Sequence, residues 1–257
     1  MCIVTIPPGG RLGNQIYPWL YGLIYSKKWG ICLKTLPPEI KDFINFNFEY
    51  CPDCVANNLH WIDSDPDTFL ETPPQFNEFN FGSYDLSGDW AEKYQHILQE
   101  TFKVQDRSDR SEVFIHVRLG DTAWAYGSPS VIWSFARPFE YYQEAMSKLG
   151  SPKGFISSDT PDHELVCRLR DSFDLELYNG SPMETIIFGA GFNNLILSGG
   201  TFSMCMGMIS RAENVFRPGP FCLGQDQNVK NGLGELGLKK WTRLSWDFDE
   251  TGGPFKC

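Results

Sequence analysis

Apolar residues along this chain alternate between strand-like and helix-like spacing, and the switches mark out its elements. Residues 2–6 form a short apolar run closed by Pro7-Pro8-Gly9-Gly10. From Asn14 to about Trp29 apolar residues recur at helical spacing, at Ile16, Leu20, Leu23 and Ile24. Together these predict a strand, a glycine-rich turn and a helix. Ile31 to Leu36 reads as a second strand stopped by Pro37-Pro38, so the chain opens with a βαβ-like unit. Residues 39–80 are rich in Pro, Asn, Asp and Phe and keep no period, which predicts irregular structure. A helix resumes at Asp89, with Trp90, Tyr94, Ile97, Leu98 and Phe102 on one stripe.

The charged segment Asp106-Arg107-Ser108-Asp109-Arg110 reads as a linker, after which the alternation becomes more regular. Strands are predicted at 112–118, 154–157, 175–178, 194–197 and 214–216, and helices at 138–149, 162–173, 182–189 and 201–209. Strands alternating with helices in this way predict a doubly wound parallel sheet. The chain has no internal repeat and divides into two α/β units with a seam near 106–111. Ligands of such sheets bind at the carboxyl ends of the strands. The segments expected there are Pro7–Gln15, Arg118–Asp121, Ser157–Asp162 and Ser198–Ser203, all polar or glycine-rich.

Charge narrows the class of partner. Among 257 residues, 22 Lys and Arg face 32 Asp and Glu, for a formal net charge of −10. A nucleic-acid binder needs a cationic face, so an anionic chain must confine its positive charge to a small site. At 42% hydrophobic and 15% aromatic residues the chain can bury a core. The eight cysteines, at 2, 32, 51, 54, 167, 205, 222 and 257, are too scattered for a disulfide scaffold and read as free thiols. Cys51-Pro52-Asp53-Cys54 with His60 nearby falls short of the four ligands of a closed zinc site, and reads as a loop. The N-terminus has no basic and apolar signal pattern, and no run reaches the roughly 18 apolar residues of a membrane span. A soluble, cytoplasmic chain is expected.

Each strand-end segment carries a candidate chemistry. In His116-Val117-Arg118-Leu119-Gly120-Asp121, period-2 alternation puts His116 and Arg118 on one face and Val117 and Leu119 on the other. An Arg at a buried strand end needs an anion, either a phosphate, which its fork matches, or Asp121 as a structural partner. Ser198-Gly199-Gly200-Thr201-Phe202-Ser203 opens a helix. Its amides, with the Thr201 and Ser203 hydroxyls, could cradle a phosphate, or the segment is a tight turn with an N-cap. It is neither a Walker A loop nor a dinucleotide fingerprint. In Ser157-Ser158-Asp159-Thr160-Pro161-Asp162 an acidic residue could hold ribose hydroxyls or a base edge, with Thr160 or Asp162 as a helix cap. Gly9-Gly10-Arg11-Leu12-Gly13-Asn14-Gln15 offers a turn, a cation and two amides, or simply a helix start capped by Asn14.

Taken in order, these segments resemble the GDP-fucose-dependent fucosyltransferases, above all the α1,2-fucosyltransferases (glycosyltransferase family 11-like). The corresponding motifs are GRLGNQ at Gly10–Gln15, a relative of HxRRGD at His116–Asp121, an SSD-like loop at Ile156–Asp162 and an SGTFS-like segment at Ser198–Ser203. Weaker matches are Phe81-Gly82-Ser83-Tyr84, the P-x-x-YY-x-x-A pattern of Pro138–Ala145, and Lys240-Trp241-Thr242. The resemblance implies a GT-B fold, two Rossmann-like α/β domains facing a cleft, with 1–107 on the acceptor side and 108–257 binding the nucleotide sugar. It further implies that Arg118 holds the donor diphosphate, with Gly200, Thr201 and Ser203 completing the cradle. Ser158, Asp159 and His116 would lie by the guanosine, Phe202 beside base or sugar, and Arg11, Gly13 and Asn14 would reach over from the N-terminal half. No metal or other cofactor is implied beyond the donor substrate.

The implied reaction is an inverting transfer of fucose from GDP-fucose to a glycan hydroxyl, in α1,2 linkage. Asp121 is the candidate base, and Trp124, Tyr126 and Trp133 form a candidate acceptor wall or a hydrophobic plug beneath a loop. One departure stands out: where α1,2-fucosyltransferases have a second arginine, this chain has Leu119. The related protein O-fucosyltransferases also carry an apolar residue there. The departure bears on the donor sugar and the linkage. A xylose or galactose donor, or a non-catalytic glycan-binding module, is the alternative.

Overall fold

The computed structural model describes residues 2–3, 12–53, 59–62, 71, 78–81, 89–107, 111–120, 137–219, 238–248 and 253–256. Short strands β1 (Cys2–Ile3) and β2 (Cys32–Leu33) pair in parallel around helix α1 (Leu12–Trp29), the βαβ opening that the sequence predicts. Pro18 lies inside α1, so the carbonyl of Asn14, one turn earlier, loses its usual helical donor. In the region read as irregular, Pro38–Phe43 is a 3₁₀ helix, and strands β3 (Leu59–Ile62) and β4 (Glu78–Phe81) pair in parallel. Their pairing partners are too far apart in sequence for a short-window pattern to reveal. Helix α2 (Asp89–Thr101) follows as predicted.

The second half alternates β5 (Val113–Val117), α3 (Phe139–Lys148), β6 (Gly154–Ser158), α4 (Glu164–Phe173), β7 (Leu175–Leu177), α5 (Pro182–Ala190), β8 (Asn194–Ile196), α6 (Thr201–Ile209) and β9 (Asn214–Pro218). Local chemistry explains the boundaries. Ser181 and Glu184 form a reciprocal capping box with Pro182 in the first turn of α5. Helix α4 is capped by His163, which accepts from the Leu165 amide at 3.2 Å, rather than by Thr160 or Asp162. It ends at Asp174 in the left-handed region. A further strand, β10 (Thr242–Leu244), extends the sheet, and β11 (Trp246–Phe248) pairs antiparallel with β12 (Pro254–Lys256).

The fold is α/β, built on a six-stranded sheet of order β10-β9-β8-β5-β6-β7 in which every pair is parallel. Every residue of β5 is buried, as expected for a central parallel strand covered on both faces. Val113, Ile115, Val117, Ile156, Ile196 and Phe216 turn to one face, under α3 and α4. Phe114, Leu195, Leu197 and Val215 turn to the other, under α5 and α6. That second cluster also takes in Ile16, Leu20 and Leu23 of α1 and Trp90 and Leu98 of α2, so the N-terminal helices share one core with this face. Of the segment read as a linker, Arg107 donates its amide to the Gly191 carbonyl at 2.8 Å and lays its guanidinium 4.5 Å from the Phe188 ring centre. Among the described residues, no helix is long and apolar enough to cross a membrane.

Candidate functional site

Counted from β5, the sheet order is that of a doubly wound fold, with the first strand (β5) lying between the second (β6) and the fourth (β8). The chain leaves β5 toward one side and returns through β8 on the other, so the crevice between these two strand ends is the switch point at which such sheets bind ligands. The motif segments of the sequence meet there. Alternation along β5 sends Val117 and Leu119 into the α3–α4 core, both with 0% exposure, and turns His116 to the opposite face. There the His116 ring stacks on Phe202, with centres 4.9 Å apart and planes at 29°.

Under the switch point lies a buried polar network. His116 Nδ1 shares hydrogen bonds with Ser203 Oγ at 2.6 Å and Ser198 Oγ at 3.2 Å, and the two hydroxyls are 3.1 Å apart. The Arg118 amide donates to Ser198 Oγ at 2.9 Å, so Ser198 ties the end of β5 to the end of β8. Burial pushes the His116 imidazole down to about 4, which Arg118 reinforces and Asp159 opposes, leaving the ring neutral at physiological pH. Ser203 is fully buried with its hydroxyl turned inward, whereas the family resemblance implies that hydroxyl in a phosphate cradle. Ser198 was not singled out as a site residue by the sequence, since a serine after a strand carries no signal until its partner strand is known.

Above the network, the Arg118 guanidinium pairs with the Asp159 carboxylate. Asp159 reaches it because β5 and β6 run in register, with Val117 opposite Ser158. Asp159 Oδ1 also accepts from the Leu119 amide at 3.0 Å and the Gly120 amide at 2.8 Å. Burial raises the Asp159 carboxyl, but the Leu119 amide, the Arg118 charge and the Gly120 amide outweigh it and hold it below the usual carboxylate range. Ser158 Oγ accepts from the Thr160 amide at 3.1 Å, which closes the turn carrying Asp159.

Helix α6 begins beside this pair. Gly200 stands at its N-cap with φ 92°, a conformation suited to glycine, and contributes no side-chain cap. The first amides of the helix therefore point toward the switch point with the positive end of its dipole. Asn14, read as a possible cap, instead lies inside the first turn of α1 and accepts from Thr201 Oγ1 at 2.6 Å. The helix starts earlier, at Leu12, and the amide side chain reaches across to α6. Gly13 permits this approach, because a Cβ there would stand 2.6 Å from the Phe202 nitrogen and 2.8 Å from Thr201 Oγ1. Gly13→Ala should push α1 off α6 and break the Asn14–Thr201 bond. A loss of about 1–3 kcal/mol, the scale of overpacking a close contact, should appear as a lower melting temperature.

Tyr141 of α3, which the sequence did not single out as a site residue, is fully buried and donates to the Leu197 carbonyl at 2.6 Å, fixing the end of β8 from the other face. Arg137, also buried, donates to the carbonyls of Gly219 and Trp246, both at 3.3 Å. Arg11, Asp121, Trp124, Tyr126 and Trp133 lie outside the described residues. So does Cys54 of the CxxC pair. Among the described residues, no group of three or more His, Cys, Asp or Glu is placed to hold a metal ion. Two surface clefts of about 600 and 590 Å³ lie elsewhere, one along α3 beside Trp246 and one between Phe102–Asp106 and Ala190–Phe192.

No protein-family model matches the chain, and no curated protein matches it. Among solved structures it is similar to POFUT1 in complex with GDP, at 12% sequence identity and a TM-score of 0.47, over 94% of this chain and 98% of that one.

Proposed function

We propose that this chain is a metal-independent GT-B glycosyltransferase that moves fucose from GDP-fucose to a glycan hydroxyl, in α1,2 linkage and with inversion. One observation carries the proposal. Four segments that resemble fucosyltransferase motifs, spread from residue 13 to residue 203, meet at one switch point: Gly13 and Asn14, His116–Gly120, Ser158 and Asp159, and Ser198–Ser203. Convergence at the ligand-binding edge of a doubly wound sheet is what a shared substrate requires, and isolated turns do not require it.

In this proposal residues 108–257 bind the nucleotide sugar and 1–107 lie on the acceptor side. Arg118 and the first amides of α6, with Thr201 and Gly200, take the diphosphate. Charge builds on that group as the glycosidic bond lengthens through an oxocarbenium-like transition state. A guanidinium and oriented amides supply there the field that a metal supplies elsewhere. The neutral His116 and Phe202 form a flat stacked pair at the edge of this cradle, beside the guanosine or sugar. Asp121, three residues beyond Arg118, is proposed as the base that takes the acceptor proton, with Arg11 closing over the donor and Trp124, Tyr126 and Trp133 lining the acceptor side.

A thermal-shift panel of GDP, UDP and other nucleoside diphosphates tests the donor. GDP at about 100 times its dissociation constant contributes about 2.7 kcal/mol to the folded state. That is a rise on the order of 5–10 °C for a chain of this size. A larger shift with UDP than with GDP overturns the donor assignment. Slow release of free fucose from GDP-fucose without acceptor is expected of the transferase and not of a glycan-binding module.

A further inference from the structure

The turn at the end of β5 is an anion hole, and a carboxylate of the chain itself occupies it. Gly120 has φ 52°, and with Leu119 it aims two successive amides at a single point. Consecutive N–H groups in such a turn form a concavity that binds anions. The third donor is the Arg118 guanidinium, and all three meet Asp159, whose Oδ1 takes both amides while Oδ2 takes the guanidinium. The assembly is not sealed, since the Arg118 side chain is 18% exposed and that of Asp159 is 30% exposed. A ligand anion can therefore reach the same guanidinium.

We propose that Asp159 is an internal stand-in for the donor's phosphate. It keeps Arg118 and the 118–120 turn in shape while the site is empty, gives up Arg118 when the diphosphate arrives, and by this competition sets donor affinity. The inference rests on Arg118 being the diphosphate ligand, as proposed above, and assigns Asp159 a role other than contact with the guanosine. The electrostatics is direct. Two anions sharing one guanidinium repel each other in a partly desolvated site, so a diphosphate must work against the charge already there. Asparagine at 159 keeps an oxygen for the Leu119 and Gly120 amides and carries no charge, so it preserves the turn and removes the competitor.

The test is calorimetric titration of the parent chain and Asp159→Asn with GDP, inorganic pyrophosphate and guanosine, with melting curves as the folding control. Asp159→Asn is expected to bind GDP and pyrophosphate about five- to tenfold more tightly, a size limited by solvent screening of a part-exposed pair. Guanosine, which has no phosphate, should bind both proteins equally. Pyrophosphate binding that is unchanged or weaker in the variant overturns the inference, as does a selective loss of guanosine binding, which would mean that Asp159 reads the nucleoside. If GDP binds neither protein but pyrophosphate still favours the variant, the donor proposal fails and the anion hole stands. Should Asp159→Asn fail to fold, Asp159→Ser removes the same charge and is held to the same outcomes.

Discussion

Replacing Arg118 with alanine is expected to lower transfer from GDP-fucose at least a hundredfold while the protein stays folded. Removing one donor aimed at a charge that develops in the transition state costs roughly 3–4 kcal/mol. Each 1.4 kcal/mol is about a factor of ten in rate. The cost to the fold is much smaller. The Arg118–Asp159 pair is part-exposed, a class of ion pair that contributes about 1 kcal/mol or less, and Asp159 keeps the Leu119 and Gly120 amides after the substitution. Initial rates with GDP-fucose, set beside a melting curve, separate the two effects. Near-normal turnover in a folded Arg118→Ala protein would remove Arg118 from the donor site. Arg118→Lys should recover only part of the rate, because an ammonium keeps the charge and loses the two-pronged geometry.

The second large effect is expected at the neighbouring residue, and on stability. Leu119 has 0% exposure and packs with Val113, Ile115, Val117, Phe139 and Ile156 between the sheet and α3. Leu119→Arg, which introduces the pair of consecutive arginines found in α1,2-fucosyltransferases, would place a guanidinium in that apolar cluster. Burying such a charge costs several kcal/mol, a large share of the roughly 5–15 kcal/mol that holds a domain folded. The variant should melt about 10 °C or more below the parent, or fail to accumulate as soluble protein. Leu119→Met, of similar volume, should cost less than about 1.5 kcal/mol and serves as the control. A Leu119→Arg protein with an unchanged melting temperature would mean that residue 119 faces the cleft.

The same strand shows how far the sequence could be read. Alternation along Val113–Leu119 was legible because a β-strand has a fixed period of two, so His116 and Leu119 could be assigned to opposite faces without knowing what covers either. Helices with a clear apolar stripe were also legible to within about two residues, as at Asp89–Thr101 and Thr201–Ile209. What stayed hidden depends on which strands are neighbours. Asp159 is 41 residues from Arg118, and nothing local announces that the two pair; the β5–β6 register brings them together. Strand β10 escaped notice because only Leu244 of its three residues is buried, and a single apolar position has no period. Asn14 could be read locally either as a helix cap or as a residue reaching across from the N-terminal half, because its hydrogen-bond partner, Thr201, belongs to a helix 187 residues away.

The core shared by α1, α2 and α6 has a mechanical consequence. Hinged enzymes close by swinging two bodies about a thin connection, which is cheap when little apolar surface separates them. Here Ile16, Leu20 and Leu23 of α1 are fully buried in the cluster that contains Met204 and Met208 of α6, and Gly13 rests against the Phe202 backbone. Prising α1 from α6 would expose these side chains at about 25 cal/mol for every Å² of apolar surface. The floor of the site is therefore welded rather than hinged, and adjustment to a substrate falls to side chains at the strand ends, with the Arg118–Asp159 pair foremost among the described residues.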